Sequence, residues 1–209
     1  AMYSCEVLLS AAGDSFWGDL LEKEAFNCLP ATTTPDMWAH QYVQMTNQIS
    51  CSRIPEEGVP FNSNRGEAHM FGLEPNFGCC TANFNQAWPK FALSALMQSR
   101  EGLAVMSMVP VQAKVMRDGA EVEFQIVSEY PFRDEAVIEV TAERPVTMEL
   151  LIRIPGFAKE ALVDEEKAEP GSFYRIYRTW EGSTRIPVRF VFETSLVDRP
   201  FGAKAAVRG

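Results

Sequence analysis

Hydrophobic positions in this chain follow two different periods. From residue 2 to about 97 they recur mostly at three- and four-residue steps. Val7, Leu8 and Leu9 lead to Gly13, and Phe16, Leu20, Leu21, Ala25 and Phe26 then run to Pro30. That spacing predicts two helices, with Gly13 ending the first because glycine takes the left-handed cap conformation without a Cβ clash. Residues 31–76 are polar, rich in Pro and Gly and short on periodicity, apart from one extended stretch near 39–50. A segment that long inside a compact domain usually serves function or is poorly ordered. A further apolar stripe follows, Phe84, Trp88, Phe91, Leu93, Leu96 and Met97, and Pro89 within it should kink or restart the helix.

Beyond Gly102 the period becomes two. Runs at 103–109, 112–116, 121–128, 136–141, 147–154, 173–179 and 185–193 are rich in β-branched and aromatic residues. Turn residues such as Asp118-Gly119 and Pro155-Gly156 separate them. Short strands at such spacing predict an antiparallel β-sandwich. The expected class is α+β, with a helical domain over 1–100 and a β-sandwich over 101–209. The first residues look like the inside of a helix and the last carry no stop signal, so the sequence reads as a piece of a longer protein.

Composition narrows the function. With 209 residues and 46% hydrophobic content the chain can bury a substantial core. Its net charge of −9, with no basic cluster, makes nucleic acid and anionic membrane surfaces poor partners. No apolar run approaches the roughly 20 residues of a membrane span. Five cysteines, an odd number in a chain too large to need disulfide staples, favour free thiols in a reducing compartment such as the cytoplasm, or metal ligation. Secretion stays open, because a leader would lie upstream of this sequence. Cys5 and Cys28 fall on apolar helical faces, where packing is the expected role, and Cys51 lies near a strand end.

The chemistry concentrates at Phe77-Gly78-Cys79-Cys80-Thr81-Ala82-Asn83. Gly78 permits a tight turn and Thr81 is a candidate N-cap, which places both thiols beside a helix start. A thiol there is acidified by the helix dipole and becomes a better nucleophile and a better ligand for a soft metal. By spacing alone the pair reads first as two buried small side chains or as a disulfide between neighbours. Zinc sites more often show Cys-x-x-Cys, which this chain lacks.

Several runs carry a resemblance. They are Ala25-Phe26-Asn27-Cys28-Leu29-Pro30-Ala31-Thr32, Ala39-His40-Gln41-Tyr42, Thr46-Asn47-Gln48-Ile49, the segment Phe-Gly-Leu-Glu-Pro-Asn-Phe-Gly-Cys-Cys at 71–80, and Arg153-Ile154-Pro155-Gly156-Phe157. Together they resemble the β-L-arabinofuranosidases of glycoside hydrolase family 127 and its relatives. The resemblance implies the later helices of an (α/α)6 barrel followed by a β-sandwich, and a retaining glycosidase whose nucleophile is a zinc-held cysteine. Carried over by position, Cys79 is the nucleophile and a zinc ligand, and Cys80 a second ligand. A Glu-x-Cys pair and a separate acid/base glutamate, which complete the family's site, would lie before Ala1 in a missing N-terminal segment. The implied substrate is an arabinofuranoside-type carbohydrate.

His40, Gln41 and Tyr42 match a family run and are candidates to line the sugar pocket, and Trp38 beside them is a candidate stacking ring. Phe71 and Phe77 are further aromatic candidates, whereas Trp88 falls on the apolar stripe and reads as core. Glu74 is the carboxylate nearest the cysteines, and His69 carries little weight. Two readings from other classes stay in play: a non-catalytic carbohydrate-binding or structural module, and a zinc or redox thiol protein.

Overall fold

The computed structural model describes residues 1–44, 48, 50–53, 66–72 and 77–209. They divide into two compact units, Ala1–Glu22 with Lys90–Glu193 and Gly209, and Lys23–Pro89 with Thr194–Arg208.

In the first unit, helix α1 (Met2–Ala12) ends where the sequence places its stop. Gly13 adopts a left-handed φ of 65°, and its N–H donates to Leu9 O at 2.9 Å. Helix α2 (Ser15–Lys23) follows after Asp14, whose carboxylate accepts the Phe16 N–H at 3.0 Å.

The strands β1 (Leu96–Gln98), β2 (Gly102–Val105), β3 (Val111–Arg117), β4 (Ala120–Ser128), β5 (Glu135–Ile154), β6 (Glu160–Val163), β7 (Glu166–Ala168) and β8 (Ser172–Val191) form one hydrogen-bonded sheet. Its path is β1-β2-β5-β8-β6-β7, and the β3–β4 hairpin joins β5 through β4. Asp118 and Gly119 turn that hairpin with φ of 51° and 73°, the two positive values a two-residue hairpin turn requires.

Four expected strands merge here into two. Runs 136–141 and 147–154 are halves of β5, and 173–179 and 185–193 correspond to the two ends of β8. The halves meet at a bulge, where residues 143–145 of β5 oppose the single residue 181 of β8. Pro145 has no N–H to give to the ladder, which suits a break at that point. Because the bulge adds an even number of residues, side-chain parity survives it: Ile138 and Val140 before it, and Leu150, Ile152 and Ile154 after it, all lie in the core.

The result is a mixed α+β chain whose strands β1–β8 curl as one sheet. It includes a parallel pair, β2 with β5, that the antiparallel expectation lacks. Gly102 permits that pairing, since a Cβ there would lie 1.9 Å from Glu149 O. Alternation could not foresee it, because parallel and antiparallel partners present the same period of two.

Helices cover part of the other sheet face. Leu9, Trp17, Met97, Ala104, Met106, Leu151 and Phe173 pack as one cluster. Beside it Arg153, which is 2% exposed, ion-pairs with Asp19 and, at 2.7 Å, with Glu22. Its Nε donates to Met106 O at 2.6 Å. The Tyr130 hydroxyl completes the group by donating to Glu22 at 2.8 Å, and Gly156 N donates to Asp19 at 3.0 Å. The Arg-Ile-Pro-Gly run is therefore the anchor of α2 on the sheet end.

In the second unit, the chain passes from the end of α2 through a π-helical turn (Glu24–Cys28) into α3 (Leu29–Ala31). Pro30 explains the turn. It cannot donate to a preceding carbonyl, and Leu29 N reaches back to Glu24 O, so Ala25 O is left without an intrahelical donor. Trp88 Nε1 donates to it at 3.1 Å. Helices α4 (Gly78–Phe84) and α5 (Ala87–Ser94) are separated by Asn85-Gln86, with Pro89 in the first turn of α5. The proline thus restarts the helix, in a position where its missing N–H has no intrahelical acceptor.

The predicted apolar stripe is shorter than its spacing suggested. Leu93 is 81% exposed, and Leu96 and Met97 belong to β1. A separate hairpin, β9 (Thr194–Asp198) with β10 (Lys204–Arg208), completes this unit. No helix among the described residues is long and apolar enough to cross a membrane.

Candidate active site

The cysteine turn is built by α4. Phe77 precedes the helix with an extended φ of −132°, and Cys80 N donates to Phe77 O at 2.9 Å. The helix starts at Gly78, three residues before the expected cap, so Cys79 and Cys80 lie inside its first turn. Thr81 does not cap: its hydroxyl meets His40 Nε2 at 3.4 Å instead. Asn83 fixes the turn from the far side, with Nδ2 donating to Cys79 O at 2.7 Å.

Both thiols are free, Cys79 exposed and Cys80 half-buried, and their sulfurs stand 3.9 Å apart. Burial, together with the hydrogen bond and charge of Cys79, pushes the Cys80 thiol up to about 11. That is the reverse of the acidification expected for Cys80 from the helix start. Seven residues of helix beside a second thiol do not offset desolvation. A cation bound at the sulfurs would reverse this, because a coordinating thiol gives up its proton.

The expected sugar-facing residues gather on an extended segment next to this turn. His40 bridges Thr33 on one side and Gly72 on the other, exchanging hydrogen bonds of 3.0 and 3.1 Å with Gly72. Gln41 N donates to Thr32 O at 2.9 Å, and Val43 N to Ala68 O at 2.9 Å. Tyr42 stacks on Phe77, centroids 4.0 Å apart and planes 11° from parallel. Through Thr81–His40 and Phe77–Tyr42, the strand-like segment and the cysteine turn touch twice.

Gln41 is buried, and its side-chain carbonyl accepts from Gln48 Nε2 at 3.1 Å. Trp38 sits apart on the Thr34–Ala39 turn, 75% exposed, with no ring contact to the group. Trp88 is half-buried and holds the π-turn, as described above. Glu74 lies outside the described residues, as do Thr46, Asn47, Ile49 and residues 73–76 of the motif runs. Among the cysteines expected to pack, Cys5 is buried and Cys28 half-buried, whereas Cys51 is exposed.

One residue gains weight. His69, at the end of a 3-10 turn (Gly66–His69), is 1% exposed, and neither ring nitrogen has a hydrogen-bond partner among the described residues. It follows Ala68 and precedes Gly72, the two points where this stretch bonds to the His40 segment. Nothing in a lone histidine on a polar stretch signals burial, so the sequence could not single it out.

The donors for a metal are two thiols. Two sulfurs each about 2.3 Å from a tetrahedral zinc lie about 3.8 Å apart, and the pair here has that bite. No group of three or more His, Cys, Asp or Glu side chains with metal-holding geometry occurs among the described residues. The pair therefore fits half of a four-ligand site.

Neither the family models nor the curated proteins include a match to this chain. Solved structures do match. A glycoside hydrolase superposes with a TM-score of 0.78 at 16% identity, covering 100% of this chain and 35% of its own. A GH127 β-L-arabinofuranosidase from Geobacillus stearothermophilus T6 gives 0.70 at 18% identity, covering 100% and 34%. Another GH127 β-arabinofuranosidase gives 0.72 at 18%, again over 100% and 34%. The chain shares its fold with the matched part of these structures. It spans about a third of their length, and the cysteine turn, the His40 segment and the curled sheet all lie inside the matched part.

Proposed function

We propose that this chain forms part of a zinc-dependent retaining glycoside hydrolase that acts on β-L-arabinofuranosides with Cys79 as nucleophile. The observation that carries the reading is the pair of free thiols at 3.9 Å in the first turn of α4, a helix whose Thr81 meets His40 and whose preceding Phe77 stacks on Tyr42. In this reading helices α1–α5 complete an (α/α)6 barrel with segments outside the chain, and the strands belong to the sandwich that follows it. The acid/base glutamate and the Glu-x-Cys ligands come from the part of the GH127 length that this chain does not span.

Cys79 and Cys80 would hold the zinc, and its charge would favour the thiolate form of its ligands, against the burial that raises Cys80. The Cys79 sulfur attacks the anomeric carbon while the acid protonates the departing oxygen, so the C–O bond breaks as the C–S bond forms. The same carboxylate then removes a proton from water, whose oxygen displaces sulfur and restores the starting configuration. His40, held by backbone bonds on both sides, presents its ring to a sugar hydroxyl, and Tyr42 forms one wall. Trp38, exposed on the neighbouring turn, is the candidate stacking ring for the sugar face, and Gln41 fixes the segment from beneath.

The test uses the full-length parent. A mechanism-based arabinofuranosyl inhibitor should add one sugar mass to a Cys79 peptide, and Cys80→Ser should lose stoichiometric zinc. Hydrolysis that persists in Cys79→Ser would end the proposal. A zinc protein without the adduct would be a thiol protein of another kind, and one with neither a non-catalytic module.

A further inference from the structure

Two glutamines of the second unit orient one another. Gln48 Nε2 donates to the Ser50 carbonyl at 2.8 Å and to Gln41 Oε1 at 3.1 Å, with Cys51 Sγ as a weaker contact at 3.5 Å. A side-chain amide is nearly symmetric in shape, so its partners settle which end faces which way. Ser50 O is a backbone carbonyl and only accepts, so the NH2 end of Gln48 must face it. One of its two protons then remains for Gln41, which has to present its oxygen.

The consequence falls on Gln41. It is 4% exposed, stands between His40 and Tyr42, and has its backbone N–H held by Thr32 O at 2.9 Å. With Oε1 turned to Gln48, its Nε2 is a donor that makes no hydrogen bond among the described residues. Gln48 Oε1, for its part, is enclosed without a partner. An enclosed acceptor left unmatched is unfavourable, and the amide keeps that orientation because its donor end is doubly bonded.

We infer that Gln48 is a positioning residue for the carbohydrate site: it orients Gln41 so that Nε2 stays available as a donor to a sugar hydroxyl, and it ties the His40–Tyr42 segment to Ser50. The choice of an arabinose-type sugar as ligand rests on the glycosidase reading; the orientation of the two amides does not. A site held through a second layer of hydrogen bonds keeps its geometry when the ligand enters.

Substitution at residue 48 separates orientation from packing. In Gln48→Glu the side chain keeps its length but can only accept, so Gln41 must turn its NH2 toward the carboxylate. The local hydrogen bond survives and the free donor is lost. Gln41→Glu gives the same outcome from the other side, since it keeps an acceptor for Gln48 and replaces the free donor with an oxygen.

Calorimetry of L-arabinose on the full-length parent tests this, beside a urea melt of each variant. The native parent should bind L-arabinose saturably, and Gln48→Glu and Gln41→Glu should each weaken binding about tenfold, the loss of one hydrogen bond, with little change in urea midpoint. In hydrolysis of a nitrophenyl β-L-arabinofuranoside, Gln48→Glu should raise KM about tenfold and leave kcat nearly unchanged, because the lost contact serves ground and transition states alike. Should Gln48→Glu lose its cooperative melt, Gln41→Glu and the neutral Gln48→Met decide. Native affinity in these variants, a loss of affinity that only follows a lowered midpoint, or a native parent that does not bind L-arabinose would overturn the assignment. Binding that depends on Gln48 without a sugar adduct on Cys79 would overturn the catalytic reading alone and support this one.

Discussion

His69 and Glu149 show how burial alone does not decide what a polar side chain does. The His69 ring is enclosed and has no hydrogen-bond partner among the described residues, and a buried unsatisfied polar atom costs about 1–3 kcal/mol. Replacing it with Leu, similar in bulk and without polar atoms, should leave the urea midpoint unchanged or raise it; a clear fall would show that the ring has a partner. Glu149 is the opposite case. Burial alone would raise its carboxyl, but hydrogen bonds from Arg175 and Ser99 and the guanidinium charge outweigh it and hold the group below the usual range. A depressed carboxylate stabilises the fold above its unfolded pKa, and that contribution disappears as pH falls through the folded value. The stability difference between the native chain and Glu149→Gln should therefore favour the native chain at pH 7 and shrink below about pH 4. A difference that does not change with pH would contradict the assignment.

Among the elements, the π-turn and its partner helix make the clearest case. Pro30 and the Leu29–Glu24 bond leave Ala25 O unmatched, and Trp88, from a helix more than 50 residues later in the chain, satisfies it at 3.1 Å. Trp88→Phe keeps the ring edge that meets Phe84 but removes the donor. It should cost about 1–3 kcal/mol in a urea melt, and Trp88→Leu more, through the lost ring packing. If Phe is fully tolerated, the indole bond is incidental. Because α5 follows directly on the helix that carries the cysteines, a local loosening there should, if the proposed zinc site exists, also lower zinc uptake in the parent.

At the scale of the whole molecule, Arg153 ties α2 to the end of the sheet through Asp19 and Glu22. Burial alone would lower its charge, but the two carboxylates outweigh that and raise its pKa. Arg153→Met removes the cation that both carboxylates pair with and leaves the two carboxylates close together, which should cost about 3–5 kcal/mol at pH 7. Part of that loss should return on acidification, as one carboxylate takes up a proton and the repulsion ends. A variant destabilised equally at pH 5 and pH 7 would assign the loss to packing. If the proposed reading holds, the zinc ligands and the acid/base that complete the site lie outside this chain, and the 209-residue chain should show no turnover of a nitrophenyl β-L-arabinofuranoside, even with zinc added.

By itself the sequence determined the local choices, because each depends on a few neighbouring residues: the Gly13 stop, the Asp118-Gly119 turn, the helical restart at Pro89, and the change of period beyond Gly102. It also marked the cysteine turn and the His40 segment, since rare residue types there stand in distinctive runs. What the tertiary structure alone decided are matters of pairing between distant residues. These include the merging of strand pairs into β5 and β8, the parallel partner of β5, the enclosure of His69, and the pairing of the buried Arg153 with Asp19 and Glu22. A strand's alternation fixes which face is buried but not which strand lies alongside, and a charge's cost depends on what the folded chain sets opposite it.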